Sequence, residues 1–433
     1  MVKLLNDTLD KLWVVIPVGG TATRLLPLTY ESSKACLRLA NRPMIELSIL
    51  CLASQGVKNF VFGVKGYTNY RSLHDHFESG TGFSAVYGIK PPIHIKYQPN
   101  VDDFGSGDSA RINLEYYDIN DTLFAVQGDN IFDVDLKRFM DFHTAKNGVL
   151  TIGLMEVKDA TGLGVADVDE NMRITQFVEK PTSPGGSATS KLVNTGLYMF
   201  SREIRSILKE EGIQKIVREK KRLDFGYDVI PYLIETGREV YGFRLSGSWF
   251  DVGTPKRYLD AVAAILNGKL SSLQDFGGRI SAKERIWIQG DSAESSKERE
   301  SIVKKFRDGR IQFQGSVLIG RHCEIEDGAR IANSCIDNYS RIGRNAVIEN
   351  SAVMDRAIIG DSAVIKDSIV GRHVTVNSNP QKPTYVGGLS VIADDVSVTA
   401  GCRLSSSKVY PHLRLPEGNF EKMTVKRIEV DET

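Results

Sequence analysis

The stretch GGTATRLLPLTYESSK, beginning at Gly19, sets two adjacent glycines and Thr21 after an apolar run, with Arg24 and Lys34 following within fifteen residues. Glycines on a tight turn expose backbone N–H groups, and the two cations add charge, so the stretch suits a polyphosphate. It is neither of the two familiar phosphate loops. GxxxxGK followed by Ser or Thr is absent after Gly19, and so is GxGxxG. Polar clusters recur at comparable places: Gln98 after the apolar run Ile93–Tyr97, Gly105-Ser106-Gly107 before a helical pattern, and Gly128-Asp129 after Leu123–Gln127. In an open α/β sheet, ligands bind at the carboxyl ends of strands, so these clusters converge on one cleft.

The elements that must position them follow from the hydrophobic periodicity. Up to about residue 265, short β-branched runs alternate with helical segments, an α/β pattern. Strands are expected at Trp13–Val18, Asn59–Val64, Ile93–Tyr97 and Leu123–Gln127, with helices at Pro43–Ser54 and Ser109–Tyr117. Beyond Gly148 strands dominate, at Val149–Val157, a hairpin turning at Asp169-Glu170-Asn171, Leu192–Phe200 and Val240–Leu245. A helix at Pro255–Leu266, capped by Thr254 and stopped by Gly268, closes this half. The reading is a Rossmann-like mixed sheet.

A second period begins at Val317. Aliphatic residues recur about every six positions, at Ile319, Ile325, Ile331, Ile336, Ile342, Ile348, Met354, Ile359, Ile365, Val370 and Val376, then at Ile392, Val398 and Leu404. Such a repeat describes short parallel strands stacked as a β-solenoid, each aliphatic side chain pointing into a narrow prism. The expected boundaries are a catalytic domain over 1–268, a linker with a charged helix over 269–312, the β-helix over 313–410, and a tail over 411–433.

Taken in order, GGTATRLLPLT with Lys34, Gln98 with GSGDSA, QGDN, FVEKP, LVNTGLY and WFDVGTP resemble the motifs of sugar-1-phosphate nucleotidyltransferases, and the hexapeptide repeat resembles their C-terminal left-handed β-helix. The resemblance covers essentially the whole chain. It implies transfer of a nucleotidyl group from a nucleoside triphosphate to a sugar-1-phosphate, glucose- or mannose-1-phosphate by family frequency, with release of pyrophosphate. It also implies Mg²⁺ on Asp129 and Asp251, and Arg24 and Lys34 on the phosphates. Gly19, Gly20, Thr21, Gln98, Gly105 and Ser106 would contact the nucleotide, with Gln98 reading the base edge. Gly164, Glu179, Lys180 and Asn194 would hold the sugar phosphate. Asp108 lies in the same turn without an assigned role. Singly, each of these residues has an ordinary alternative as a turn former, helix cap or solvated charge; their joint order carries the reading.

Three departures from the family pattern stand out: Ala22 where a glycine is usual, Ser33 where a proline is usual before Lys34, and Leu163 before Gly164 where many members have tyrosine. Two other function classes compete with the transferase. One is a non-catalytic subunit binding nucleotide sugar; the other is a bifunctional enzyme whose solenoid transfers acyl groups. The duplicate triplets Gly320-Arg321-His322 and Gly371-Arg372-His373 lie nine repeat steps apart, hence on one face of the solenoid, as an anion-binding edge or as solvated turns.

Composition limits the partners. With 433 residues, 41% apolar, and a net charge of +1, the chain has cores to bury and no overall field favouring nucleic acid or membrane. Its five cysteines form no CxxC pair, which fits free thiols in a reducing compartment. The N-terminal stretch carries acids where a signal peptide has an apolar core, so a cytoplasmic location is expected. The flanks and ends of a solenoid call for cover, so a homo-oligomer, trimer or tetramer, through the β-helix is expected.

Overall fold

The computed structural model describes residues 9, 11–20, 22–181, 191–281, 284–290, 292 and 294–427. The chain forms two units, each discontinuous. One comprises residues 1–21 and 45–251, the other 22–44 and 252–433.

The first unit is built on a nine-stranded mixed sheet. In chain order its strands and the neighbouring ribbon are β1 (Trp13–Val18), β2 (Asn59–Val64), β3 (His94–Tyr97), β4 (Leu123–Val126), β5 (Asn130–Phe132), β6 (Leu150–Glu156), β7 (Val165–Val168), β8 (Ile174–Val178), β9 (Leu192–Phe200), β10 (Val240–Arg244) and β11 (Trp249–Asp251). The order across the sheet is β8-β7-β9-β4-β1-β2-β3, with β6 pairing β9 and β10 pairing β6. β1 runs parallel to both β2 and β4, and β9 runs antiparallel to β4. Val14, Val15, Ile16 and the whole of β4 are fully buried, as expected of strands covered on both faces. β5 and β11 stand apart as a two-stranded antiparallel ribbon. The expected helices appear at Met44–Ala53 and, starting one turn early, at Ser106–Tyr116.

In the second unit the helix Pro255–Leu266 begins as expected, the Thr254 hydroxyl accepting from the Arg257 N–H at 3.3 Å. Three parallel sheets of eight, seven and six strands then form the left-handed β-helix. Its repeat differs from the sequence reading at two places. After Val376 it resumes at Val386, which pairs in register with Ile365 and Leu404, before Ile392. Earlier, the prism is filled by Val353 rather than Met354, because Val353 pairs in register with Ile336 and Val370. The steps from Ile319 to Val370 are therefore six, six and five residues in every coil, a period of 17. Buried serines repeat with it, Ser334 Oγ accepting from the Ser351 N–H at 3.0 Å and Ser351 Oγ from the Ser368 N–H at 3.1 Å.

The ladder is also longer than the expected 313–410. Ile286–Ile288 already pairs in parallel with Val317–Ile319, and Arg414–Leu415, Asn419–Glu421 and Thr424–Val425 extend the three sheets. At the start, the inserted helix Ser296–Arg307 interrupts the repeat; at the end, consecutive five-residue steps and a bulky Phe420 obscure it. Gly320 and Gly371 follow strands of the same sheet, three coils apart, so the duplicate triplets share a face as expected.

Candidate functional site

The first unit gathers its candidate residues at one end of β1 and β4. Gly19 and Gly20 follow β1 and are exposed; Thr21 lies outside the described residues. A Cβ on Gly19 would stand 2.8 Å from the Cβ of Lys65, which follows β2, so glycine is what lets the two strand ends pass. The ammonium of Lys65 donates to the Asp103 carbonyl at 2.6 Å, adding a cation that sequence reading missed.

Gly128 packs against the end of β1, its N–H donating to the Pro17 carbonyl at 3.3 Å; a Cβ there would meet Val18 at 2.8 Å. Asp129 follows directly on this contact with the end of the first strand. The ribbon does the rest. β11 pairs with β5 so that Asp251 is the register partner of Asn130, bringing Asp251 to the same ribbon end as Asp129. Two residues 122 positions apart thus become neighbours. The ribbon is tied down at the Thr195 carbonyl, which accepts from Asn130 Nδ2 at 2.7 Å and from Trp249 Nε1 at 2.9 Å. Gly196, at φ +75°, leaves the space that Asn130 and Gln127 fill. Among the described residues no group of three or more His, Cys, Asp or Glu side chains is placed to hold a metal ion by itself.

On the neighbouring strands the sugar-side candidates also converge. The Asn194 N–H donates to the Gly164 carbonyl at 2.8 Å, and its amide side chain is held by Tyr198 and the Gly196 N–H at 2.8 and 3.0 Å. Glu179 lies between two glycines: a Cβ on Gly164 would be 2.5 Å, and one on Gly226 2.4 Å, from its Oε2. That oxygen is buried and has no hydrogen-bond partner among the described residues. Burial pushes the carboxyl above its ordinary value, while Lys180, whose ammonium is 3.5 Å from Oε1, draws it back. Burial lifts the Tyr198 phenol well above its usual range; the hydrogen bond from Asn194 opposes this, and the charges of Glu179, Asp224 and Asp129 add to it. Lys180 is exposed, its ammonium 5.5 Å from the Tyr227 ring centre.

Gln98 follows β3 directly. It is buried, its Nε2 donating to the Asn100 carbonyl at 2.9 Å and its Oε1 accepting from Ser109 at 2.7 Å. The amide stitches the loop after β3 to the helix Ser106–Tyr116 instead of facing open space. Gly105, at φ +131°, lets the chain approach the Leu223 carbonyl, and the Ser106 hydroxyl donates to Asp224 Oδ2 at 2.8 Å. Asp108 accepts from the Phe104 N–H and from Arg111 at 3.0 and 2.8 Å, a structural role. Asp224 and Gly226 are the residues sequence reading missed here; the Asp-x-Gly turn in LDFGYD was the available signal.

Arg24 and Lys34 belong to the second unit. Arg24 is exposed on a 3-10 turn, Thr23–Leu25, and the half-buried Lys34 opens another, Lys34–Cys36. Ala22 adopts φ +46°, the left-handed region that glycine takes without cost, so the methyl is carried there under strain. Ser33 holds φ −60°, the angle proline would fix, so that replacement preserves the turn. The five cysteines are free thiols, with Cys36, Cys323 and Cys335 pushed by burial up to about 12.

A mixed sheet with a glycine turn on its first strand, two aspartates at one ribbon end and an appended β-helix defines a nucleotidyl-transferring enzyme. The chain belongs to the nucleotidyl transferase family, whose profile matches residues 13–268; a second profile, the GMPPB C-terminal domain, matches 313–425. Glucose-1-phosphate adenylyltransferases of Bacillus cereus and Bacillus anthracis are each 27% identical over 357 residues, covering 78% of this chain and 90% of the relative. A solved structure from Bacillus anthracis, assigned as a glucose-1-phosphate thymidylyltransferase, shares the fold at a TM-score of 0.51 and 24% identity, covering 61% of this chain and 97% of that one.

Proposed function

We propose that this nucleotidyltransferase joins a nucleoside triphosphate to a sugar-1-phosphate, with glucose- or mannose-1-phosphate as acceptor. The observation that carries the reading is the ribbon end that unites Asp129 and Asp251 against the end of β1. A sugar-1-phosphate oxygen attacks the α-phosphorus, the new O–P bond forms as the α–β anhydride bond breaks, and pyrophosphate leaves with the electron pair. The attacking oxygen is already anionic, so the protein has no proton to remove. Its work is positioning and charge neutralisation.

Gly19 and Gly20 offer backbone N–H groups to the triphosphate, and Thr21, Arg24 and Lys34 act with them. Gly105 and Ser106 shape the base pocket, with Gln98 bracing the loop that forms it. The orphaned Oε2 of Glu179 accepts a sugar hydroxyl, Asn194 and Gly164 border the ring, and Lys180 meets the sugar phosphate. Two carboxylates on one ribbon suit Mg²⁺, which keeps much of its shell for water and phosphate oxygen; bound there it neutralises the phosphates. A homo-oligomer, trimer or tetramer, through the β-helix and a cytoplasmic location belong to the same reading, and no described helix is long and apolar enough to cross a membrane.

Asp129→Ala and Asp251→Ala test it. Each is expected to lower pyrophosphate release by about 100-fold or more, the scale on which lost transition-state charge stabilisation is felt, while leaving the melting temperature within a few degrees. Release unchanged in both variants would refute the assignment.

A further inference from the structure

The segment 22–44 carries Arg24 and Lys34 yet packs with the solenoid unit. Two groups of contacts tie it there. The first is a hairpin, Arg38–Leu39 with Arg42–Pro43, turning through Ala40 and Asn41, both at positive φ, the two-residue turn that fits strand twist. Arg38 grips Asp337 through two nitrogens, Nη2 at 2.9 Å from Oδ1 and Nε on Oδ2. Asn41 Nδ2 donates to the Ile336 carbonyl at 3.0 Å, and the buried Tyr258 hydroxyl donates to the Arg38 carbonyl. The second is the tip of the segment. Tyr30 meets Tyr410 edge to face at 5.4 Å, and Glu31 pairs with His412 Nε2 at 2.9 Å.

Asp337 and Tyr410 each follow a strand of the same sheet, and four strand pairings separate them. At strand spacing the two anchors lie about 19 Å apart along the axis. Eight residues from Tyr30 to Arg38 span at most about 28 Å when extended, so a strap that also contains a 3-10 turn has little slack. Lys34 sits midway along it.

We infer that this edge of the β-helix is a positioning platform for the reaction: the anchors Arg38–Asp337 and Tyr30–Tyr410 with Glu31–His412 hold the strap taut and so fix the placement of Lys34. The inference rests on the proposed role of Lys34 in binding the triphosphate. Residues on the solenoid, remote in sequence from every catalytic motif, then govern the rate as positioning residues. Three of the edge cations are paired within the chain, Arg372 and Arg356 each 3.0 Å from Asp355 and His373 3.1 Å from Asp395, and the His322 ring stacks on Tyr339, which matches a scaffold more closely than an open anion site.

The test is a double-mutant cycle on the full chain. Tyr410→Ala combined with His412→Gln releases the exposed anchor and leaves the prism core untouched. We expect kcat/KM for the nucleoside triphosphate to fall roughly 10-fold or more, the scale of a small misplacement of a catalytic group, with the melting temperature near that of the parent and with Tyr410→Phe restoring the rate. In a Lys34→Ala background the same release should cost less than about 2-fold, because coupled residues do not add. Equal cost in both backgrounds overturns the platform. Lys34→Ala with unchanged kinetics overturns instead the role of Lys34, and an Arg38→Gln variant that behaves as the parent overturns the inner anchor.

Discussion

At the scale of single residues, the site turns on places where a side chain would not fit. Glu179 keeps an oxygen with no partner among the described residues between Gly164 and Gly226, and a methyl on Gly226 would fall 2.4 Å from it. Gly226→Ala is therefore expected to displace the carboxylate and raise KM for the sugar-1-phosphate about 10-fold, the worth of one charge-assisted hydrogen bond, with KM for the triphosphate little changed. Equal effects on both constants would show that Gly226 serves the fold instead. Glu179 and Asn194 were singled out as candidates by their motifs, and the fold brings both beside Gly164. Gly226 was not, because one glycine among 39 carries no mark of the carboxylate it admits. Gln98 was singled out as a candidate to read the base edge; the partners its amide takes, Asn100 and Ser109, could not be foreseen because they are set by folding and not by spacing.

At the scale of elements, periodicity located the strands well because burial on both faces forces apolar runs. It erred by one residue at Met354, where two adjacent apolar residues fit the repeat and only pairing with Ile336 and Val370 selects Val353. The helix Leu136–Lys146 adds a feature no pattern announced. It buries His143, whose Nδ1 lies 2.8 Å from Thr151 Oγ1 on β6, and burial draws the imidazole down from 6.5 to about 4. The folded state thus favours the neutral ring, while the unfolded chain takes up a proton as pH falls through about 6.5. The contribution is intact above that value, declines between 6.5 and about 4, and is flat below, a loss on the order of 3 kcal/mol in all. Denaturant titrations across this range should show the decline in the parent and lose most of it in His143→Gln; an identical slope in both would contradict the assignment.

At the scale of the whole chain, the catalytic motifs are divided between two units in a way linear order conceals. The sequence presents residues 1–268 as one domain, and the family profile covers nearly the same span, yet 22–44 and 252–268 pack with the β-helix. The separation was illegible because its cause is long-range: Arg38 finds Asp337 across 299 positions. The β-helix, announced by its own repeat, thereby becomes more than an appendage, since it holds the segment that carries Arg24 and Lys34. Everything nonetheless depends on the reaction itself. The most direct measurement is pyrophosphate release with Mg²⁺ across a matrix of the five common nucleoside triphosphates and several sugar-1-phosphates, run forward and in reverse. We predict release confined to particular pairs, with the matching nucleoside diphosphate sugar consumed when pyrophosphate is supplied. A folded protein that binds nucleoside triphosphate and releases no pyrophosphate with any sugar-1-phosphate would contradict the account.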